Sequence, residues 1–289
     1  MKHDSLQCGA NGGIHNRQKK AAVINDFTSF GRCSLAVTIP ILSAMGVQCC
    51  PVPTAFFTNH TGFDSFSWTD NTPHLDGYIT EWKKLGLKFA AVQTGFLGSF
   101  EQVDFVLRFV KAFGEGSIVC VDPVMGDYGR LYPTYSMKLA ESMRDFLDVA
   151  DILTPNLTEA CILAGTEYRT DFTDAEMESL CRRLAERKAS RVVVSGVQRG
   201  DSLFNFIYEK GVGFSVHSGP RIGGDRSGTG DVFASVILGD AVNGVPFAES
   251  VKRAGEYAAA TVAKTVEMGI PEKDGLAIEE TLGMLCGVS

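Results

Sequence analysis

The sequence predicts an α/β fold, one domain with a central, mostly parallel sheet flanked by helices. Two observations predict it. From residue 21 onward, short β-rich apolar runs alternate with longer segments of helical period, the pattern of βαβ units. Several of those apolar runs stop at polar clusters, and ligands of open α/β sheets bind beyond the carboxyl ends of the strands. The chain has 289 residues, 45% hydrophobic and 21% charged, enough to bury a large core in such a domain.

The elements follow in order. Residues 1–20, polar and rich in Gly and Asn, predict a flexible tail ahead of a single domain over 21–289. Residues 21–24 predict a first strand and 33–45 a helix stopped by Gly46. Residues 47–57 are extended but broken by Pro51 and Pro53, which places part of them at an edge or over the site. Residues 76–85 predict a helix, 89–93 a strand, and 100–113 a helix with Val103, Val106, Leu107 and Val110 at helical spacing. Residues 117–121 predict a strand ending at Asp122-Pro123, and 152–153 end in the same way at Thr154-Pro155-Asn156. A charged amphipathic helix is expected over 173–188, a strand over 192–195, and a hairpin from 203–208 and 213–217. Three helical segments, near 232–242, 247–267 and 278–285, close the chain. No repeat, low-complexity tract or linker interrupts residues 21–289.

A formal net charge of -7 argues against a nucleic-acid footprint. It leaves room for a phosphate-bearing ligand, because backbone amides and a metal ion supply positive field locally. Eight cysteines are scattered, mostly in apolar runs and without a C-x-x-C pair, so reduced thiols and a cytoplasmic location are expected. No stretch is long and apolar enough to predict a membrane span.

The most telling stretch is Ser227-Gly228-Thr229-Gly230-Asp231, just before a helical run. Gly228 and Gly230 let backbone amides approach an anion, the helix start adds positive partial charge, and Asp231 is placed to take a proton from a hydroxyl. From these residues alone, a flexible turn followed by a dipole-matched carboxylate explains the stretch equally well. Four further clusters stand at predicted strand ends: Asn25-Asp26, Thr94-Gly95-Phe96, the run from Asp122-Pro123-Val124-Met125 to Gly126-Asp127, and Thr154-Pro155-Asn156-Leu157-Thr158-Glu159.

With Thr58-Asn59-His60-Thr61-Gly62, these segments in this order resemble the pyridoxal/pyridoxamine (vitamin B6) kinases of the ribokinase-like superfamily, from about Ala21 to the C-terminal helices. The resemblance implies a three-layer sandwich, and an ATP-dependent kinase that phosphorylates the 5′-hydroxymethyl group of a B6 vitamer. It implies Asp231 as catalytic base and the amides of Gly228, Thr229 and Gly230 as an anion hole. Asp122 and Glu159 match positions that hold Mg²⁺ directly or through water. Thr154, Asn156 and Ser195 fall beside ATP, as do Gly228 and Thr229, and an arginine of the 218–227 loop, Arg221 or Arg226, is a further phosphate candidate. Asp26 and Thr54 match positions contacting the pyridine, with His60 and Phe96 nearby and Asp231 completing the acceptor site. A homodimer and a monovalent cation such as K⁺ are also implied.

Two departures stand out. Asn25-Asp26 replaces the Ser-His of well-known pyridoxal kinases, and Phe96 stands where many have Tyr. The alternatives are a hydroxymethylpyrimidine kinase of thiamine synthesis, from which Asp231 leans away because those enzymes often carry Cys there, and a non-catalytic vitamer or nucleotide sensor on the same fold.

Overall fold

The computed structural model describes residues 18–287. The tail expected over 1–20 falls almost wholly outside the described residues, and Lys20 already opens the first strand.

In chain order the strands are β1 (Lys20–Thr28), β2 (Gln48–Phe57), β3 (Trp68–Asp70), β4 (Ala91–Thr94), β5 (Ile118–Val121), a short hairpin of β6 (Gly126–Asp127) and β7 (Arg130–Leu131), then β8 (Ile152–Leu153), β9 (Arg191–Arg199), β10 (Ser202–Glu209) and β11 (Gly213–Pro220). The helices are α1 (Leu35–Ala44), α2 (Leu75–Lys84), α3 (Phe100–Phe113), α4 (Met137–Ser142), α5 (Leu157–Ala164), α6 (Asp174–Leu184), α7 (Thr229–Asn243) and α8 (Phe247–Glu267). Nine strands form one sheet in the order β11-β10-β9-β8-β5-β4-β1-β2-β3. The six from β9 to β2 run parallel, and β10, β11 and β3 are antiparallel to their neighbours.

Strand periodicity divides the core into two layers. Ala22, Ile24, Val92, Val119, Val121, Val192 and Val194 face one apolar cluster, where α2 to α6 pack. Ala21, Val23, Ala91, Cys120 and Val193 face the other, built on α1, α7 and α8. Side chains alternate across a strand, so adjacent residues enter opposite layers and a sheet buried on both faces reads as a continuous apolar run. The result is the three-layer α/β sandwich, with β1 between β2 and β4 at the point where strand order reverses.

Three differences between the sequence expectations and the structure bear on the fold that carries the site. Residues 48–57 form an unbroken strand despite both prolines. Pro53 turns its carbonyl to Asn71 Nδ2 at 2.7 Å, on the side away from β1, so no ladder hydrogen bond to β1 is lost. The last segment, expected as a helix over 278–285, is a pair of 3-10 turns, Ile278–Glu280 and Leu282–Leu285. The Thr-Pro-Asn-Leu-Thr-Glu stretch opens helix α5, with Asn156 as its N-cap and Glu159 completing a capping box.

The β1–β2 pairing carries a bulge that matters for the site. Asn25 pairs with Pro53 and Phe27 with Phe56, so Asp26 alone opposes two residues. Bulges of this kind re-aim a side chain and are frequent beside active sites.

Candidate active site

Beyond the C-terminal ends of β1, β4, β5 and β8 lies a cleft of ≈ 1110 Å³. Its volume exceeds that of an ordinary single-ligand pocket, about 300–1,000 Å³, and suits two ligands end to end. Its walls contain Asp26, His60, Phe96, Asp122, Thr154, Asn156, Glu159, Ser195 and the whole of Gly228 to Asp231. Thr54 is the exception among the expected residues. It is fully buried behind the wall, and its hydroxyl donates to the Phe96 carbonyl at 2.9 Å.

At the centre, Gly228 caps α7 in a left-handed conformation, φ 86°. The backbone N–H groups of Gly228, Gly230 and Asp231 have no hydrogen-bond partner among the described residues, whereas Thr229 turns its N–H and hydroxyl back to Arg226 O at 3.4 and 2.9 Å. Free amides at a helix start form an anion site. Of the expected amides, those of Gly228 and Gly230 are free among the described residues and that of Thr229 has an internal partner. A Cβ on Gly228 would stand 2.1 Å from Arg32 O, so the loop preceding α1 is pressed directly against this turn.

Asp231 extends from the first turn of α7 into the cleft. Asn25 Nδ2 donates to its Oδ1 at 3.3 Å, and the Ser34 N–H lies near its carboxylate and favours the charged form. Burial nevertheless pushes its pKa up to about 6, with the charge of Asp26 adding to the rise. Asn25 is a residue that sequence reasoning left out of the site. Its Oδ1 accepts from the N–H groups of Asp26 and Phe96 at 2.9 and 2.7 Å, so one amide ties β1, the turn after β4 and α7 together. Gly95 is needed for this approach, since a Cβ there would lie 2.3 Å from Asn25 Cγ.

The acidic pair lies towards the other half of the cleft. Asp122 is raised well above the usual carboxylate range, first by burial and then by the charges of Glu159 and Asp231. Its one side-chain partner is Thr154 Oγ1 at 3.3 Å. Glu159 is pushed up to about 8 by burial, against N–H groups of Asn156 and Met125 at 2.9 and 3.0 Å on its two oxygens. A divalent cation beside these groups would offset the cost of ionising them, and Asp122 Oδ2 is open to it. Glu159 has both oxygens engaged, so it fits such an ion through water. Among the described residues no three His, Cys, Asp or Glu side chains converge as a cage. That agrees with an ion held by one or two carboxylates and ligand phosphates.

Asn156 is engaged in the α5 cap and donates Nδ2 to Gly126 O at 2.8 Å. Arg226 is also engaged, its Nη1 donating to Ile270 O and Pro271 O at 2.9 and 3.0 Å, which ties the 218–227 loop to the segment after α8. Arg221 pairs with Asp225 at 3.1 Å and lines the cleft. Beyond Ser195 the cleft wall continues with Gly255, Ala258 and Ala259 of α8 and with the Asn205 and His217 side chains. A Cβ at Gly255 would meet Asn205 Nδ2 at 3.2 Å and the His217 ring at 3.3 Å. Nothing in the local sequence of α8 separates these small residues from ordinary helix packing.

At the other end, Phe96 sits edge-on to Phe57 and Tyr135, with centroids 5.8 and 5.9 Å away. His60 Nδ1 accepts from the Gly62 N–H at 3.1 Å, so Nε2 carries the proton and donates to Lys273 O at 2.7 Å. With both nitrogens engaged, His60 pins the 58–67 segment over this end as a structural fastening.

Comparison with known proteins bears on this site. The family model described as phosphomethylpyrimidine kinase matches residues 39–275. A Bacteroides thetaiotaomicron protein, provisionally described as a phosphomethylpyrimidine kinase, is 36% identical and superposes with a TM-score of 0.92 over 95% of this chain and 96% of its own. A second crystal form of that protein, containing pyridoxal, aligns at 34% identity with a TM-score of 0.87 over 93% and 96% of the two chains. The pyridoxine/pyridoxal/pyridoxamine kinase of Bordetella avium is 29% identical over 85% of this chain and 86% of its own length.

Proposed function

The chain belongs to the pyridoxal kinase family of the ribokinase-like superfamily, and from that premise we propose that it transfers the γ-phosphoryl group of ATP to the 5′-hydroxymethyl group of a B6 vitamer. It is a kinase acting on an alcohol group. The observation that carries the reading is Asp231, a carboxyl that burial pushes up to about 6, beside three backbone N–H groups at a helix start that have no partner among the described residues.

The residues divide the work as follows. The end of the cleft lined by Ala258 and Ala259 of α8 takes the nucleotide base, and the triphosphate runs past Thr154 towards the start of α7. The ring lies at the Phe96 end, with its hydroxymethyl group towards Asp231. Asp231 takes the hydroxyl proton as the oxygen attacks the γ-phosphorus, and the N–H groups of Gly228 and Gly230 receive charge on the transferred group. Asp122, and Glu159 through water, would hold Mg²⁺, which when bound would neutralise charge on the phosphate oxygens. A monovalent cation and a homodimer belong to the same reading. So does a cytoplasmic location, which the seven free thiols among the described residues support. Among those residues no helix is long and apolar enough to cross a membrane.

The test is ADP release measured with pyridoxal, pyridoxine, pyridoxamine and hydroxymethylpyrimidine in parallel, with the phosphorylated product identified by mass. A B6 vitamer is expected to have the highest kcat/KM. Preference for the pyrimidine, which the family model's description favours, would replace this reading with the thiamine-synthesis one. Binding without any ADP release would leave a sensor.

A dependence on pH follows from Asp231. The base works only when ionised, so kcat/KM should hold above pH about 6 and fall roughly tenfold per unit below it. A flat profile down to pH 5 would remove Asp231 from the role.

A further inference from the structure

The loop between β1 and α1 has three left-handed residues in four positions: Gly31 at φ 107°, Arg32 at φ 44° and Ser34 at φ 57°. At Ser34 the ψ of -135° completes a combination that glycine adopts freely and a residue with a Cβ does not. Such an outlier persists only where its surroundings over-determine it. The surroundings here are specific. Ser34 Oγ donates to Asp26 Oδ1 at 2.6 Å, and Thr28 Oγ1 donates to Asp26 Oδ2 at 2.7 Å. Asp26 is 5% exposed and stands opposite the β1–β2 bulge, which turns it towards the loop. Both carboxylate oxygens are therefore engaged by hydroxyls of the protein's own chain, which hold the carboxylate against the loop.

We propose that Asp26 is a positioning residue and not a contact to the acceptor ring: it holds Ser34 in its left-handed conformation, so that the Ser34 N–H fixes the Asp231 carboxyl beside the anion site. Gly228 presses on the same loop at Arg32 O, so the loop serves both halves of the catalytic turn. The inference rests on the reading of Asp231 as base.

The test exploits the conformation itself. Asp26→Ala removes both oxygens, and kcat should fall by about a hundredfold while the KM values for vitamer and ATP change little, because misplacement of a reacting group costs rate. Ser34→Gly removes the hydroxyl but supplies a residue that takes this φ and ψ unaided. The Asp26→Ala/Ser34→Gly double variant should therefore recover to within about tenfold of the wild type. A double variant as slow as Asp26→Ala, or a rise in vitamer KM with kcat retained in Asp26→Ala, overturns the inference and makes Asp26 a ring contact. Thermal melting and nucleotide binding establish that each variant is folded. Should Asp26→Ala not fold, Asp26→Asn is measured with and without Ser34→Gly under the same criterion. A wild-type protein that releases no ADP with any of the alcohols takes down the kinase reading and this inference together. An active wild type with no rescue overturns the inference alone.

Discussion

Asp231→Asn is expected to abolish nearly all turnover, with kcat down about 10²- to 10⁴-fold, while nucleotide affinity stays at or above the wild-type value. The substitution is close to isosteric, and its amide oxygen can still accept from Asn25 Nδ2, so the turn keeps its shape. What disappears is proton acceptance. A negative charge is also lost close to Asp122, where Asp231 contributes to the raised pKa, so phosphate binding faces less repulsion. ADP release beside calorimetric titration with a non-hydrolysable ATP analogue separates the two effects. Wild-type-like turnover would end the assignment of Asp231 as base, and loss of both turnover and nucleotide binding would show that the turn had collapsed.

Gly228→Ala is expected to have the second largest effect, through the backbone. The position has φ 86°, and the new methyl carbon would lie 2.1 Å from Arg32 O, far inside contact distance. The turn must move, and loss of an aligned amide donor of this kind costs about 10²- to 10³-fold in kcat. The left-handed backbone adds about 1–3 kcal/mol of strain, visible as a lower Tm. Gly244→Ala is the matched control. It ends the same helix at φ 82° with nothing within 4 Å of a Cβ, so it should show the strain in Tm and leave kcat alone. Equal losses of kcat in the two variants would mean that Gly228 acts through stability only.

Much of this site is legible in the sequence because strand ends are. Apolar runs that stop at Asp122-Pro123 and Thr154-Pro155 locate the cleft floor before any coordinates are known. The Gly-Thr-Gly-Asp turn has few uses once those neighbours are recognised. Element identity was readable where the period was strong, as in α3 and α8, whose bounds agree with the pattern to the residue. It was poorly readable in short pieces. Helix α4 has six residues, and β6 and β7 have two each, too few for a period to show. The two prolines of β2 misled because sequence does not say which side of a strand meets a neighbour.

The roles of Asn25, Ser34 and Thr54 were hidden for a different reason. Each depends on a hydrogen bond between positions distant in sequence or on a dihedral angle, and composition encodes neither. Asn25 reaches Asp231 across 206 residues of chain. Ser34 looks like an ordinary helix cap, yet it makes no side-chain cap bond and faces Asp26 instead.

The two-layer core has a consequence for biosynthesis. One layer joins α1, near the start of the chain, to α7 and α8, near its end, and Ala21, Val23, Leu35 and Ile41 are buried only in that company. On the ribosome, β1, β2 and β4 emerge long before the helices that cover this face. The nascent chain therefore carries an uncovered apolar surface until α7 and α8 emerge, and Asn25 waits for Asp231 over the same interval. Contacts of such long sequence separation form late and leave the partial chain open to aggregation. A ribosome-bound fragment ending short of α7 is thus expected to be a client for holding chaperones, and the site becomes complete only once α7 has emerged.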